Sequence, residues 1–264
     1  MREDPIFVIG LFRSGTTLMR YILDSHTRIA CQPETRFMVQ LSEMIDNKRT
    51  LAGMESMGFD RAHVGQQLRS TICYFMENYA QSKQKPRWAD KTPEYVGILP
   101  FLQEIFPTAR FIMLYRHPLD QVHSNVKSGL GIADRIGEFM EPGDSNYVAG
   151  AKYWAEQSAR MLEFERSFPS ITHRIRYEDM CDHPEQFLKP MFDFLGEKWE
   201  PSVLEFYKFE HDYGAEDGKV GSSRGISRSS HDPSKWESRD LADCHGIVSA
   251  VAATLEYEFP KVNA

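Results

Sequence analysis

The sequence predicts an α/β fold: a central parallel sheet flanked by helices on both faces, arranged as a three-layer sandwich. Two observations carry this prediction. Short apolar, β-branched and aromatic runs at residues 5–10, 110–115 and 171–176, with shorter ones at 28–31 and 87–90, have the length and continuity of strands buried on both faces. Helical periodicity at 15–25, 60–80, 95–106, 118–128, 147–167, 184–195 and 240–257 alternates with these runs, which is the order of a parallel sheet. In such sheets ligands bind beyond the carboxyl ends of the strands.

The first strand gives the sharpest local signal. Phe7-Val8-Ile9-Gly10 runs into Leu11-Phe12-Arg13-Ser14-Gly15-Thr16-Thr17, a tight turn at a helix start, where backbone N–H groups converge at the positive helix end. An anion is expected against Arg13, Ser14, Gly15, Thr16 and Thr17. Gly10 and Gly15 satisfy the spacing G-x-x-x-x-G, so the fold is P-loop-like. Thr16, however, stands where a nucleoside-triphosphate site needs its Lys, which argues against ATP or GTP.

A second anion site is read at the strand 110–115, which ends in Arg116 and meets Pro118 and then Ser124 on the following helix. A guanidinium fork and a hydroxyl suit one phosphate. The third strong strand ends in Arg176-Tyr177-Glu178-Asp179. Residues 129–146 and 211–239 read as long loops, and 219–239 concentrates Ser222, Ser223, Arg224, Arg228 and Lys235 in an otherwise acidic chain. That composition suits a loop closing over an anion, with Trp236 as its anchor; a Ser-rich linker is the alternative.

Composition bounds the rest. At 264 residues the chain fits one domain, 1–264, with a sizeable core. A formal charge of −7 speaks against broad nucleic-acid binding. No apolar run is long enough to span a bilayer, and residues 1–4 lead directly into a strand, so a cytoplasmic location is expected. Cys31, Cys73, Cys181 and Cys244 are scattered, which predicts buried free thiols; no metal-ligand spacing is present, so no metal is expected.

The Arg-Ser-Gly-Thr-Thr loop resembles the 5′-phosphosulfate loop of sulfotransferases, which use 3′-phosphoadenosine-5′-phosphosulfate (PAPS) as sulfuryl donor and release 3′-phosphoadenosine-5′-phosphate (PAP). The resemblance implies that Arg13 neutralises the departing bridge oxygen. Arg116 and Ser124 match the family's 3′-phosphate motif, and Tyr177 matches a residue near the adenine. The spacing from Arg228 to Lys235 is similar to that of tyrosylprotein sulfotransferases. Pro33-Glu34-Thr35-Arg36 resembles their E-E-T-R segment, which makes Glu34 the general base, provided burial raises its pKa toward neutrality. Arg36 becomes an acceptor-side or charge-balancing residue.

Asp90-Lys91-Thr92-Pro93 resembles the family's N-K-x-P segment, with Asp90 a departure from Asn, and implies that Lys91 supports transition-state charge. Read without the resemblance, Glu34 also suits a helix N-terminus and Asp90–Lys91 a surface ion pair. The expected activity is sulfuryl transfer to an acceptor hydroxyl of a phenol, a tyrosine peptide or a hydroxylated metabolite. A P-loop nucleotide kinase and a non-catalytic PAP-binding module are the alternatives. The acceptor pocket is expected from loops at 36–60 and 129–146, where Phe37, Phe59, Phe139 and Tyr147 suit either a phenolic acceptor or core packing; a homodimer stays open.

Overall fold

A computed structural model of the chain describes residues 4–128, 136–214, 218–229 and 236–259. The five predicted strands form one parallel sheet: β1 (Ile6–Gly10), β2 (Ile29–Cys31), β3 (Arg87–Lys91), β4 (Arg110–Tyr115) and β5 (Thr172–Arg176), in the spatial order β2-β3-β1-β4-β5. The apolar runs are explained by two buried faces. Phe7 and Ile9 of β1 face one helical layer, and Ile6 and Val8 face the other. On the first face Phe7 stacks on Phe111 with centroids 5.4 Å apart and meets Trp88 edge-on at 5.7 Å. On the second, Ile22, Ile112, Leu188 and Phe192 close the layer.

The helices follow the sequence at most positions. α1 spans Thr16–Asp24. Two helices, α2 (Phe37–Asp46) and α3 (Lys48–Ser56), correct the expectation of a loop over 36–60. Asn47 ends one and caps the other, its side chain accepting from Arg49 N at 3.0 Å and Thr50 N at 3.1 Å, while Met38 and Ile45 bury one face of α2. α4 covers Arg61–Ser82. The helix expected at 95–106 is split into a 3-10 turn (Pro93–Ile98) and α5 (Leu99–Ile105), because Pro100 has no N–H to continue the ladder.

Further along the chain lie α6 (Pro118–Ser128), α7 (Asn146–Ser167), α8 (Tyr177–Asp182) and α9 (Pro184–Leu195). A 3-10 turn follows at Pro201–Lys208, then α10 (Gly218–Ser222) and α11 (Ser238–Thr254). α10 lies inside the segment read as a loop. The four cysteines are buried and free, as their scatter predicts. No helix among the described residues is long and apolar enough to cross a membrane.

Candidate active site

The carboxyl end of β1 is shaped by two glycines. A Cβ on Gly10 would stand 2.7 Å from Ser14 Oγ and 2.9 Å from Leu114 O, so only glycine lets the loop fold back over the strand end. Ser14 N donates to Leu11 O at 3.1 Å, and the chain passes through left-handed conformations at Arg13 (φ 68°) and Gly15 (φ 97°). α1 then begins without a side-chain cap. The amides of its first turn, Thr16, Thr17 and Leu18, have no partner within the helix and lie at its positive end.

Those three residues, with Arg13 and Gly15, form one wall of a cavity of about 280 Å³. Arg116, Ser124, Lys127 and Ser128 form another. Arg116 is 3% exposed. Its guanidinium donates to Arg13 O at 2.7 Å and to Ser229 O at 2.6 Å, while its Nε has no partner. Arg13 Nε donates to Ser124 Oγ at 2.9 Å, so the hydroxyl expected to work with Arg116 is held by Arg13. The two predicted anion sites thus share one cavity.

Tyr177 supplies the base of this cavity. Its ring packs so closely under the loop that a Cβ on Gly15 would lie 2.4 Å from Tyr177 Cδ2, and the Arg116 guanidinium sits 4.8 Å from the ring centroid. Burial pushes the phenol pKa up. The neutral hydroxyl donates to Ser227 O at 3.3 Å and accepts from Ser229 N at 3.2 Å.

The segment 218–229 lies over this opening. Ser223, Gly225, Ser227 and Ser229 line the cavity, whereas Ser222, Arg224 and Arg228 do not; all three are exposed, and Arg228 pairs with Asp182 at 3.3 Å. Ser14 is also outside the lining, its side chain fully buried and its Oγ unpartnered. Lys235 lies outside the described residues. Trp236 is buried as the expected anchor, donating from Nε1 to His123 Nδ1 at 3.0 Å and packing 4.3 Å from the Tyr147 ring.

Glu34 and Lys91 meet elsewhere on the same sheet edge. β3 ends at Lys91, in register with Val8 of β1, and the chain after β2 carries Glu34 to it. Lys91 Nζ is 2.5 Å from Glu34 Oε1, with side-chain exposures of 0% and 8%. Arg36, left-handed at φ 58°, reaches Glu34 at 3.3 Å and Glu94 at 2.6 Å, which makes it charge-balancing. Asp90 is fully buried and accepts from Thr92 Oγ1 and Tyr95 Oη, each at 3.0 Å. Burial raises its pKa to about 7, with Thr92, Tyr95 and Lys91 pulling the other way.

Glu34 and Lys91 are not among the residues lining the cavity. Of the aromatics offered for a phenolic acceptor, Phe139 packs on Tyr153 and Tyr147 on Trp236, while Phe37 meets Phe75 edge-on at 6.0 Å and Phe59 is exposed. Lys127 and Ser128 were legible as residues three and four positions beyond Ser124 on one helix. Ser227 and Ser229 belong to the Ser-rich tract but nothing local separates them from Ser222. Phe206 also lines the cavity, and no motif marks it.

The chain is 30% identical over 209 residues to protein-tyrosine sulfotransferase 2 of Gallus gallus, covering 77% of this chain and 54% of that protein. The chain therefore spans about half the length of this curated relative. The sulfotransferase domain from the curacin biosynthetic pathway superposes with a TM-score of 0.63 at 24% identity, covering 98% of this chain and 99% of that one. Retinol dehydratase, solved with androsterone and the inactive cofactor PAP, superposes at 0.50 with 12% identity over 99% of this chain and 84% of its own. The family model described as the sulfotransferase family matches residues 5–201, about three quarters of the sequence, and the chain belongs to that family.

Proposed function

We propose that this protein transfers a sulfuryl group from PAPS to an acceptor hydroxyl, with Glu34 as general base. The observation that carries the reading is the single cavity in which the amide-rich start of α1 and the Arg116–Ser124 turn meet. A nucleotide with phosphate groups at the 3′ and 5′ positions of its ribose suits such walls. The residues fit it in a further respect: Arg116 Nε is buried without a partner. When bound, PAPS supplies the sulfuryl group and leaves as PAP.

The chain's own residues divide the remaining work. The α1 amides and Arg13 bind anionic oxygen at the loop, and Arg116, Ser124 and Lys127 bind it at the opposite wall. Tyr177 offers a flat, neutral face between them. Glu34 takes the acceptor proton at a carboxylate oxygen; Lys91, already on that carboxylate, stabilises charge that develops beside it. The sulfotransferase resemblance of the Glu34 and Lys91 segments supports both roles.

The test is PAP binding together with transfer of radiolabelled sulfate from PAPS to a panel of phenols, alcohols and tyrosine peptides. Arg116→Ala removes charged hydrogen bonds of about 1.5–3 kcal/mol, so PAP affinity is expected to fall roughly 10–150-fold. Glu34→Gln is expected to bind PAP normally and form no labelled product. Normal PAP affinity in Arg116→Ala refutes the nucleotide assignment, and full transfer by Glu34→Gln removes Glu34 as the base.

A further inference from the structure

The chain that lines the cavity with Phe206, and again with Val220, Ser223 and Ser229, crosses the segment carrying Glu34 in between. Hydrogen bonds fix that crossing. His211 Nδ1 bonds Asp24 Oδ2 of α1 at 2.6 Å. The Asp212 carboxylate accepts from Tyr79 Oη at 3.0 Å and from Lys83 Nζ at 2.8 Å, and its carbonyl accepts from Arg20 Nη2 at 2.8 Å. The same guanidinium, 0% exposed, donates from Nη1 to Cys31 O at 3.0 Å. Arg20 thus bridges the two segments, three residues before Glu34.

Two glycines set how closely the segments approach. A Cβ on Gly221 would stand 3.1 Å from Tyr213 Cε1, so α10 lies against Tyr213. A Cβ on Gly214 would stand 2.6 Å from Pro33 Cβ, with Pro33 Cγ at 3.6 Å. Gly214 is exposed and its φ is not in the left-handed region, so the contact with Pro33 is what calls for glycine there.

We propose that Gly214 is a positioning residue for the transfer step: it seats the cavity-lining chain directly on Pro33 and so fixes the path of Glu34 to Lys91. The inference rests on the transfer function proposed above, with Glu34 as base. Which side yields follows from what is held. His211 and Asp212 are tied to Asp24, Tyr79, Lys83 and Arg20, whereas Pro33 has no N–H with which to anchor itself. A methyl group added at position 214 therefore moves Pro33, by about 1 Å to reach normal carbon contact. That shift passes to Glu34, the next residue, and leaves the cavity wall in place. Misplacing a reacting group by about 1 Å costs roughly 100-fold in rate, and the Lys91 ion pair opposes part of the movement, so kcat is expected to fall about 10–100-fold.

The experiment measures kcat at saturating PAPS and acceptor, and PAP affinity by calorimetry, for wild type, Gly214→Ala, Pro33→Gly and the double variant. Gly214→Ala should lose rate and keep wild-type PAP affinity. In the Pro33→Gly background no ring remains for the methyl group to meet, so adding Gly214→Ala is expected to change kcat by less than about twofold. Wild-type kcat in Gly214→Ala, an equal fall in both backgrounds, or a fall in PAP affinity matching that in kcat overturns the proposal. Amide hydrogen exchange over residues 31–39 reads the same contact without transfer: faster exchange in Gly214→Ala than in wild type supports the seating, and unchanged exchange overturns it. Wild type that forms no labelled product refutes the transfer function instead, and the exchange still decides the contact.

Discussion

Replacing Gly15 by Ala tests whether the phosphate loop and Tyr177 form one unit. At φ 97° an L-residue is strained by about 1–2 kcal/mol, a cost confined to the backbone. The added methyl carbon would also stand 2.4 Å from Tyr177 Cδ2 and 2.8 Å from Cε2, roughly one ångström inside normal carbon contact, so the ring must move. Moving it disturbs the Arg116 stack and the bonds between the phenol and Ser227 and Ser229, together about 1–2 kcal/mol.

The two costs have different readouts. Both destabilise the fold, by about 2–4 kcal/mol in total, which lowers Tm by roughly 4–16 °C in a chain of this size. The displacement of Tyr177 also deforms the proposed nucleotide cavity. PAP affinity by calorimetry should therefore fall about 5–30-fold. A variant with wild-type Tm and wild-type PAP affinity would show that Tyr177 does not buttress the loop.

Two further outcomes follow from buried contacts outside the lining of the cavity. Trp236→Ala removes a buried indole and its bond to His123; it should cost about 3–5 kcal/mol by denaturant titration and weaken PAP binding by loosening the segment 218–229. Unchanged PAP affinity would sever that segment from its anchor. Asp24 is desolvated, which raises its pKa, but bonds from His211 and Cys31 N and the charge of Lys85 outweigh this and hold it below the usual carboxylate range. Its contribution is thus present above the unfolded pKa of about 3.9 and lost as pH falls through the lower folded value. Asp24→Asn should flatten that acid limb, and an equally steep loss in the variant would refute the linkage.

Much of the fold was legible because a parallel strand must be apolar on both faces, and a five-residue run such as Ile6–Gly10 leaves little else to read. The loop at Arg13–Thr17 and the Arg116–Ser124 spacing were legible for a similar reason, since each is a short-range pattern. What escaped depended on partners far away in sequence. Arg116 is held by Ser229, 113 residues on, and nothing local distinguishes Ser229 from Ser222. Composition alone carried the reading of Arg224 and Arg228; in the structure both are exposed and Arg228 pairs with Asp182. The helices at 37–56 were obscured by Asn47, a residue that reads as a break but here caps one helix where another ends.

The two parts of the site handle charge in opposite ways. At the cavity, Arg116 is held by neutral oxygens of Arg13 and Ser229, which position the guanidinium without cancelling its charge. At the other part, Lys91 and Arg36 lie on carboxylates of Glu34 and Glu94. An uncompensated cation favours a polyanion before any reaction, whereas a paired one offers little to a neutral hydroxyl until a proton moves. In the proposed role of Glu34 as general base, its protonation weakens its hold on Lys91 and lets the ammonium follow charge onto the transferring group. Under the proposed transfer function this division assigns affinity to the Arg116 side and rate to the Lys91 side.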